Sequence, residues 1–197
     1  CLPLKENNSR GEMSTTHWTE RMLTAAMRVL GKLHFDRVPH VDWVLSPTGA
    51  ANRFTDYFRG FERVEAVKKI FGEKTQEVLQ NLKVNFTYIG GYMWIDTRHG
   101  SLVISTHYLN TGDKTDIYLD LIHELVHVRQ YMEGKNLFDT EYDYADRPTE
   151  IEAYQHAVDE ARRLGLNDQQ ICEYLKTEWM SQEDLKRLAE SVKVKCA

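Results

Sequence analysis

The segment DIYLDLIHELVHVRQYME, residues 116–133, decides the fold of this chain. Its apolar residues recur every three or four positions and occupy two adjacent stripes of a helix instead of one. Asp113 or Thr115 can cap the start of this helix, and Gly134 follows its end. The sequence therefore predicts a helix over about residues 116–133 that is buried around most of its circumference.

The polar residues of this predicted helix fall on one strip: Asp120, His123, Glu124, His127 and Gln130. Enclosed polar groups are costly unless they are paired or bound to a metal ion. Residues four apart lie about 6 Å apart on one helix face, so the imidazoles of His123 and His127 can converge on one ion. Glu124 leans over the same site, and the strip therefore predicts a metal centre.

A zinc site that performs hydrolysis needs three protein ligands and an open position for water. Two glutamates on the next predicted helix, Glu150 and Glu152, are the candidates for the third ligand. Glu150 shares a face with small residues that allow close helix packing, whereas Glu152 aligns with polar residues typical of a solvated face. This argument favours Glu150 and keeps Glu152 as the alternative.

His123-Glu-Leu-Val-His127 followed by Glu150-x-x-Ala153 resembles the gluzincin class of zinc metallopeptidases, in particular its minimal members and the repressor-cleaving and radiation-response metallopeptidases of bacteria. The resemblance implies that His123, His127 and Glu150 bind Zn²⁺ and that Glu124 is the catalytic carboxylate. Tyr154 stands where the class has an aspartate that orients a ligand histidine. That role must then pass to a tyrosine hydroxyl, a backbone carbonyl or Asp120, or else the third ligand shifts to Glu152.

The expected function is zinc-dependent hydrolysis of peptide bonds through a water activated by Glu124. We expect a restricted set of peptide or protein substrates, because so small an enzyme has little room for a long cleft. The alternative is a non-catalytic interaction module that keeps the fold and a structural metal. The sequence does not choose the group that stabilises the oxyanion; the candidates are His156, Tyr131, Tyr142, Tyr144, Arg129 and Arg147.

The predicted fold class is α+β, with a flexible segment over residues 1–16 and a single domain over residues 17–197. Its expected parts are N-terminal helices over about 18–33 and 54–83, a three-stranded antiparallel meander over 83–107, the buried metal-binding helix, a glutamate helix from Pro148, and further C-terminal helices that begin at Asn167 and Ser181. Strand 101–106 is expected to offer its edge to an extended peptide.

Composition narrows the classes of function. The 197 residues are 42% hydrophobic, which suits one core, and the net charge of -5 gives no basic footprint for nucleic acid. No apolar run reaches the roughly 18 residues of a membrane span.

The three scattered cysteines predict no disulfide framework, which fits a reducing, cytoplasmic compartment. Cys172 is expected to be a small core residue. A bridge between Cys1 and Cys196 is left open. The oligomeric state is left open.

Overall fold

The computed structural model describes residues 41–43, 53–89 and 91–196. The fold is α+β, as predicted. The helices of the described residues are α1 (Phe54–Tyr57), α2 (Glu65–Phe71), α3 (Thr75–Asn81), α4 (Thr106–Thr111), α5 (Lys114–Met132), α6 (Pro148–Arg163), α7 (Asp168–Leu175) and α8 (Gln182–Ser191). The strands are β1 (Asp42–Trp43), β2 (Phe58–Arg59), β3 (Val84–Thr87), β4 (Met93–Asp96) and β5 (Ser101–Ser105). Short 3₁₀ helices cover Phe61–Arg63, Gly72–Lys74 and Tyr144–Asp146.

Helix α5 lies at the centre of the fold, within two residues of its predicted bounds. Asp113 caps it, because its carboxylate accepts the backbone N–H groups of Thr115 at 2.7 Å and Asp116 at 3.3 Å. Both apolar stripes are buried except for Met132 at the end of the helix, and residues such as Leu121 and Leu125 are fully enclosed. Burial of one such side chain contributes about 1.5–3 kcal/mol, so the two stripes hold this helix inside the core.

The three-stranded sheet is mixed, and the predicted antiparallel meander is wrong. The strand order is β3-β5-β4, with β3 parallel to β5 and β4 antiparallel to it. The reason lies in burial: β5 is buried at nearly every position and takes the centre, whereas β3 and β4 alternate between core and surface and form the edges. Strand β5 therefore has no free edge for a peptide, and that expectation is also wrong.

The predicted helix over residues 54–83 is divided into several short elements. Gly60 and Gly72 mark breaks, and both have positive φ, at 88° and 59°. Of the phenylalanines between them, Phe71 is partly buried, whereas Phe61 is fully buried and its ring packs 5.8 Å from that of Tyr118 on α5. The N-terminal segment 1–16 and the predicted helix over 18–33 lie outside the described residues, so the division into segment and domain stays a prediction.

Helix α6 packs along α5 through its small residues. Ala153, Ala157 and Ala161 are fully buried, which lets the two backbones approach closely. The starts predicted for the next two helices are confirmed, because Asn167 and Ser181 both cap their helices with reciprocal side-chain bonds.

A disulfide joins Cys172 on α7 to Cys196, with the Cα atoms 5.4 Å apart. Cys172, which was expected to be a small core residue, packs partly buried against the core but is also half of a disulfide. This disulfide excludes the Cys1–Cys196 bridge that the sequence left open. The pairing depends on how α8 returns the chain to α7, which the cysteine spacing does not reveal. The cysteine argument for a reducing compartment falls away, and the cytoplasmic location stays a prediction. Among the residues that the structure describes, no helix is long and apolar enough to cross a bilayer.

Candidate metal centre

The side chains of His123, His127 and Glu150 meet at the interface of α5 and α6. The two histidine Nε2 atoms are 2.9 Å apart, and Glu150 Oε2 lies 3.4 Å from each. All three residues are buried, at 6% exposure. The structure thus brings together the three residues that the sequence nominated, with Glu150 contributed by the first turn of α6.

These distances match what one tetrahedral zinc ion requires. Nitrogen and oxygen ligands lie about 2.0–2.2 Å from zinc, so two ligand atoms of a tetrahedral site are separated by roughly 3.3 Å. Glu150 Oε2 has no hydrogen-bond partner although it is buried. An unsatisfied buried carboxylate oxygen is costly, and a cation between the three side chains would satisfy it.

The electrostatics of the cluster also favour a cation. Burial alone would raise the pKa of Glu150, but the imidazoles of His123 and His127 outweigh it and hold that pKa well below its usual range. Burial likewise opposes the charge on His127, yet Glu150, Glu124 and Gln130 raise its pKa to about 9. Burial lowers the pKa of His123. Without metal, one proton on His127 therefore supplies the positive charge that Glu150 attracts.

Gln130 fixes the orientation of His127. Its side-chain N–H₂ donates to Glu152 Oε2 at 2.8 Å and to the Thr149 carbonyl at 3.0 Å, which leaves its oxygen to accept from His127 Nδ1 at 2.7 Å. His127 therefore carries a proton on Nδ1, and its Nε2 lone pair is free to point at an ion when the ring is neutral.

Glu152 supports the cluster from outside and contributes no atom to it. Its carboxylate accepts from Arg129 at 2.6 Å and Lys135 at 3.0 Å as well as from Gln130. Burial would raise the pKa of Glu152, but these partners outweigh that effect and lower the pKa to about 2. Glu152 is thus partly exposed and paired with cations, whereas Glu150 contributes an atom to the cluster, and this geometry favours Glu150 as the third candidate ligand.

His123 is held by packing. Its ring meets the Tyr154 ring edge-on, with centroids 4.3 Å apart, and its Nδ1 has no hydrogen-bond partner among the described residues. Two of the expected acceptors are engaged elsewhere: Asp120 accepts from Tyr108 at 2.5 Å, and the Tyr154 hydroxyl bonds to that of Tyr144 at 3.0 Å. The ring of Tyr154 thus orients the imidazole of His123 by direct contact.

Glu124 lies beside the cluster without belonging to it. The residue is 7% exposed, and its Oε2 has no hydrogen-bond partner. Burial raises the pKa of Glu124 to about 8, with the negative charges of Glu150 and Asp120 adding to the effect. A carboxyl group with a pKa near neutrality can exchange protons at working pH.

A cavity of about 190 Å³ opens onto His123 and Glu124. Of the six residues considered as donors to the oxyanion, Tyr144 alone lines this cavity. Tyr131 and Tyr142 are exposed, Arg129 is bound to Glu152, and Arg147 lies 3.8 Å from the other oxygen of Glu150. The sequence did not reveal the remaining walls, which come from the start of β4, from α7 and from the segment after α7.

Comparisons with family models, with curated proteins and with solved structures found no match to this chain. The class of the site is therefore defined by its own chemistry: two histidines and one glutamate around a common point, with a second, free carboxylate beside them.

Proposed function

We propose that this protein is a zinc-dependent hydrolase that cleaves peptide bonds, in the manner of gluzincins. One observation carries the proposal. Three ligand atoms from His123, His127 and Glu150 converge on one point, and the unpartnered carboxylate of Glu124 lies beside them where a cavity reaches the surface.

Each residue of the site has a separate role in the proposed reaction. Zinc held by the three side chains would supply a Lewis acid that polarises the scissile carbonyl and makes a nearby water more acidic. Glu124 accepts the proton of the attacking water and passes it to the leaving amine. Tyr144, whose hydroxyl keeps its proton because burial holds its pKa well above the usual range, donates to the developing oxyanion.

Strand β4 is the edge that supports the binding of an extended peptide. It pairs on one side with β5, and no described strand pairs with its other side. Met93, its first residue, and the preceding Tyr92 both line the cavity. A substrate that adds to this edge through main-chain hydrogen bonds would run toward Glu124.

The alternative, a non-catalytic module with a structural metal, is less well supported. Structural zinc sites are usually closed by four protein ligands. Within the described ranges, the cluster contains three. The missing fourth ligand favours a site that keeps one position for water.

Metal analysis and a cleavage screen test the proposed function directly. We expect about one zinc per purified chain and cleavage of members of a random fluorogenic peptide library, both lost after dialysis against a chelator and restored by zinc. Protein that binds no zinc in non-chelating buffer would refute the ligand set. Protein that binds zinc but cleaves no peptide would favour the structural-metal alternative.

Tyr144→Phe is expected to lower kcat about 100-fold while KM changes little, because one donor to the oxyanion is lost. The measurement is steady-state cleavage of the best library peptide. Tyr154→Phe is the matched control, since it removes the same 3.0 Å hydroxyl bond but keeps the Tyr144 hydroxyl. Equal losses in the two variants would assign Tyr144 a structural role and leave the oxyanion donor unidentified.

A further inference from the structure

Helix α5 carries a row of three carboxylates that leads away from the metal centre. Asp116, Asp120 and Glu124 are spaced four residues apart and all line the cavity. At a rise of 1.5 Å per residue, successive members lie about 6 Å apart along the helix. Glu173 of α7 lines the same cavity. We call Asp116, Asp120 and Glu173 the acidic wall.

The acidic wall has no counter-ion in the part of the chain that the structure describes. None of its three carboxylates forms an ion pair with a lysine, arginine or histidine there, and Lys176, which also lines the cavity, is exposed. Burial raises the pKa of Asp116 to about 7, and the charges of Asp113, Asp120 and Glu173 add to it. Burial also raises the pKa of Asp120 to about 6, despite the hydroxyls of Tyr108 and Tyr174. The carboxyl groups of Asp116 and Asp120, on the α5 side of the cavity, therefore have no ion-paired cation among the described residues.

Aromatic rings complete the cavity near these carboxylates. The Tyr92 ring meets those of Tyr108 and Trp179 edge-on, with centroids 4.7 and 5.5 Å away, and Trp179 is 59% exposed. All three residues line the cavity. Ring faces attract ammonium and guanidinium groups, and Trp binds them best. The cavity combines these rings with acidic side chains that have no ion-paired cation and with the buried Glu124 Oε2, which has no hydrogen-bond partner, and this lining suits an organic cation.

We propose that this cavity selects substrates with a positively charged group, an ammonium or guanidinium, within about two residues of the cleaved bond. The distance follows from geometry: Asp120 is about 6 Å from Glu124 along α5, and an extended peptide advances about 3.3 Å per residue. The group can be a lysine or arginine side chain or a free peptide N-terminus. This inference rests on the proposed function, because it names the substrate class of the same site.

Matched peptides test this selectivity. Starting from the best library peptide, lysine or arginine at each position flanking the bond is compared with norleucine or citrulline, with the N-terminus free or acetylated. We expect kcat/KM to be at least about tenfold higher for the charged member of each pair at one position. An effect of acetylation alone would identify the N-terminal ammonium as the source of the charge. Equal rates for charged and neutral peptides would overturn the proposal.

Asp116→Asn links the preference to the acidic wall. Asp116 is remote from the metal ligands, and its substitution relieves carboxylate repulsion, so the variant is expected to fold. It should lower kcat/KM for the charged peptides about tenfold more than for their neutral partners. Glu190→Gln, at an exposed position of α8, removes the same charge outside the cavity and should have no effect. Equal effects of the two variants would overturn the assignment.

A binding measurement separates this proposal from the proposed function. Zinc-loaded Glu124→Gln protein is titrated into fluorescein-labelled lysine, arginine and citrulline peptides, followed by anisotropy. If the variant binds charged peptides selectively but the wild type cleaves no peptide, the proposed hydrolase is refuted and the proposed cation site is supported. If the wild type cleaves charged and neutral peptides equally, the hydrolase is supported and the cation site is refuted. If no peptide is cleaved and charged peptides are not bound, both proposals fail.

Discussion

Glu124→Gln is expected to lower kcat/KM for peptide cleavage by about 1,000-fold and to leave the zinc content unchanged. The amide keeps the size of the carboxylate but cannot accept the proton of the attacking water. Because Glu124 is no part of the ligand cluster and its Oε2 has no hydrogen-bond partner, its replacement should not disturb zinc binding. The measurement is cleavage of the best library peptide beside metal analysis of the same preparation.

The stability of this variant provides an internal check. In the absence of metal, burial raises the pKa of Glu124 to about 8, so a neutral amide should be tolerated at no cost in the thermal stability of the metal-free protein. A zinc ion bound beside Glu124 would favour the ionised carboxylate that accepts the proton. Glu124→Asp is the matched control, since it keeps the carboxyl group and should retain part of the activity. Undiminished cleavage by the Gln variant would exclude Glu124 as the proton acceptor.

Glu150→Ala and Glu152→Ala are expected to differ sharply in zinc affinity. Loss of Glu150 removes a ligand, and we expect the Kd for zinc to rise at least about 1,000-fold. Loss of Glu152 removes only the support that reaches His127 through Gln130, which should raise the Kd about tenfold. Competition with a chromogenic chelator measures both values.

The pair of variants is its own control, because both remove one carboxylate from neighbouring turns of α6. Glu152→Ala removes a partner of Arg129 and Lys135, and Glu150→Ala removes one of Arg147, so circular dichroism of both variants must first show that the fold is kept. A larger loss of zinc from Glu152→Ala than from Glu150→Ala would overturn the assignment of the third ligand.

Patterns in the sequence predicted the central helix and the convergence of His123, His127 and Glu150. The position of α5 follows from the spacing of its apolar residues, and the caps at Asn167 and Ser181 follow from side chains that bond to nearby backbone. The meeting of Glu150 with His123 and His127 was predictable because small residues on one face of α6 bring it against α5. The helix and its neighbours' caps depend on residues within a few helical turns, and the meeting with Glu150 depends on the apolar and small-residue faces of two helices that follow each other in the chain.

Features that depend on distant parts of the chain could not be predicted from the sequence. The parallel pairing of β3 with β5 reflects competition between strands for the buried centre of the sheet, which alternation within one strand does not express. The bridge from Cys172 to Cys196 depends on the path of α8 between them. The support of His123 by the Tyr154 ring required the relative angle of two helices. The walls of the cavity likewise come from elements far apart in sequence.

The disulfide has a practical consequence for handling the protein. It ties the last residues to α7, the helix that supplies Glu173 and Tyr174 to the cavity. A dithiol reductant would break this bond and would also compete for zinc, because thiolates are strong zinc ligands. Inactivation in such a buffer would have two causes. A phosphine reductant and a carboxylate chelator, applied separately, would tell the loss of the covalent tie from the loss of the ion.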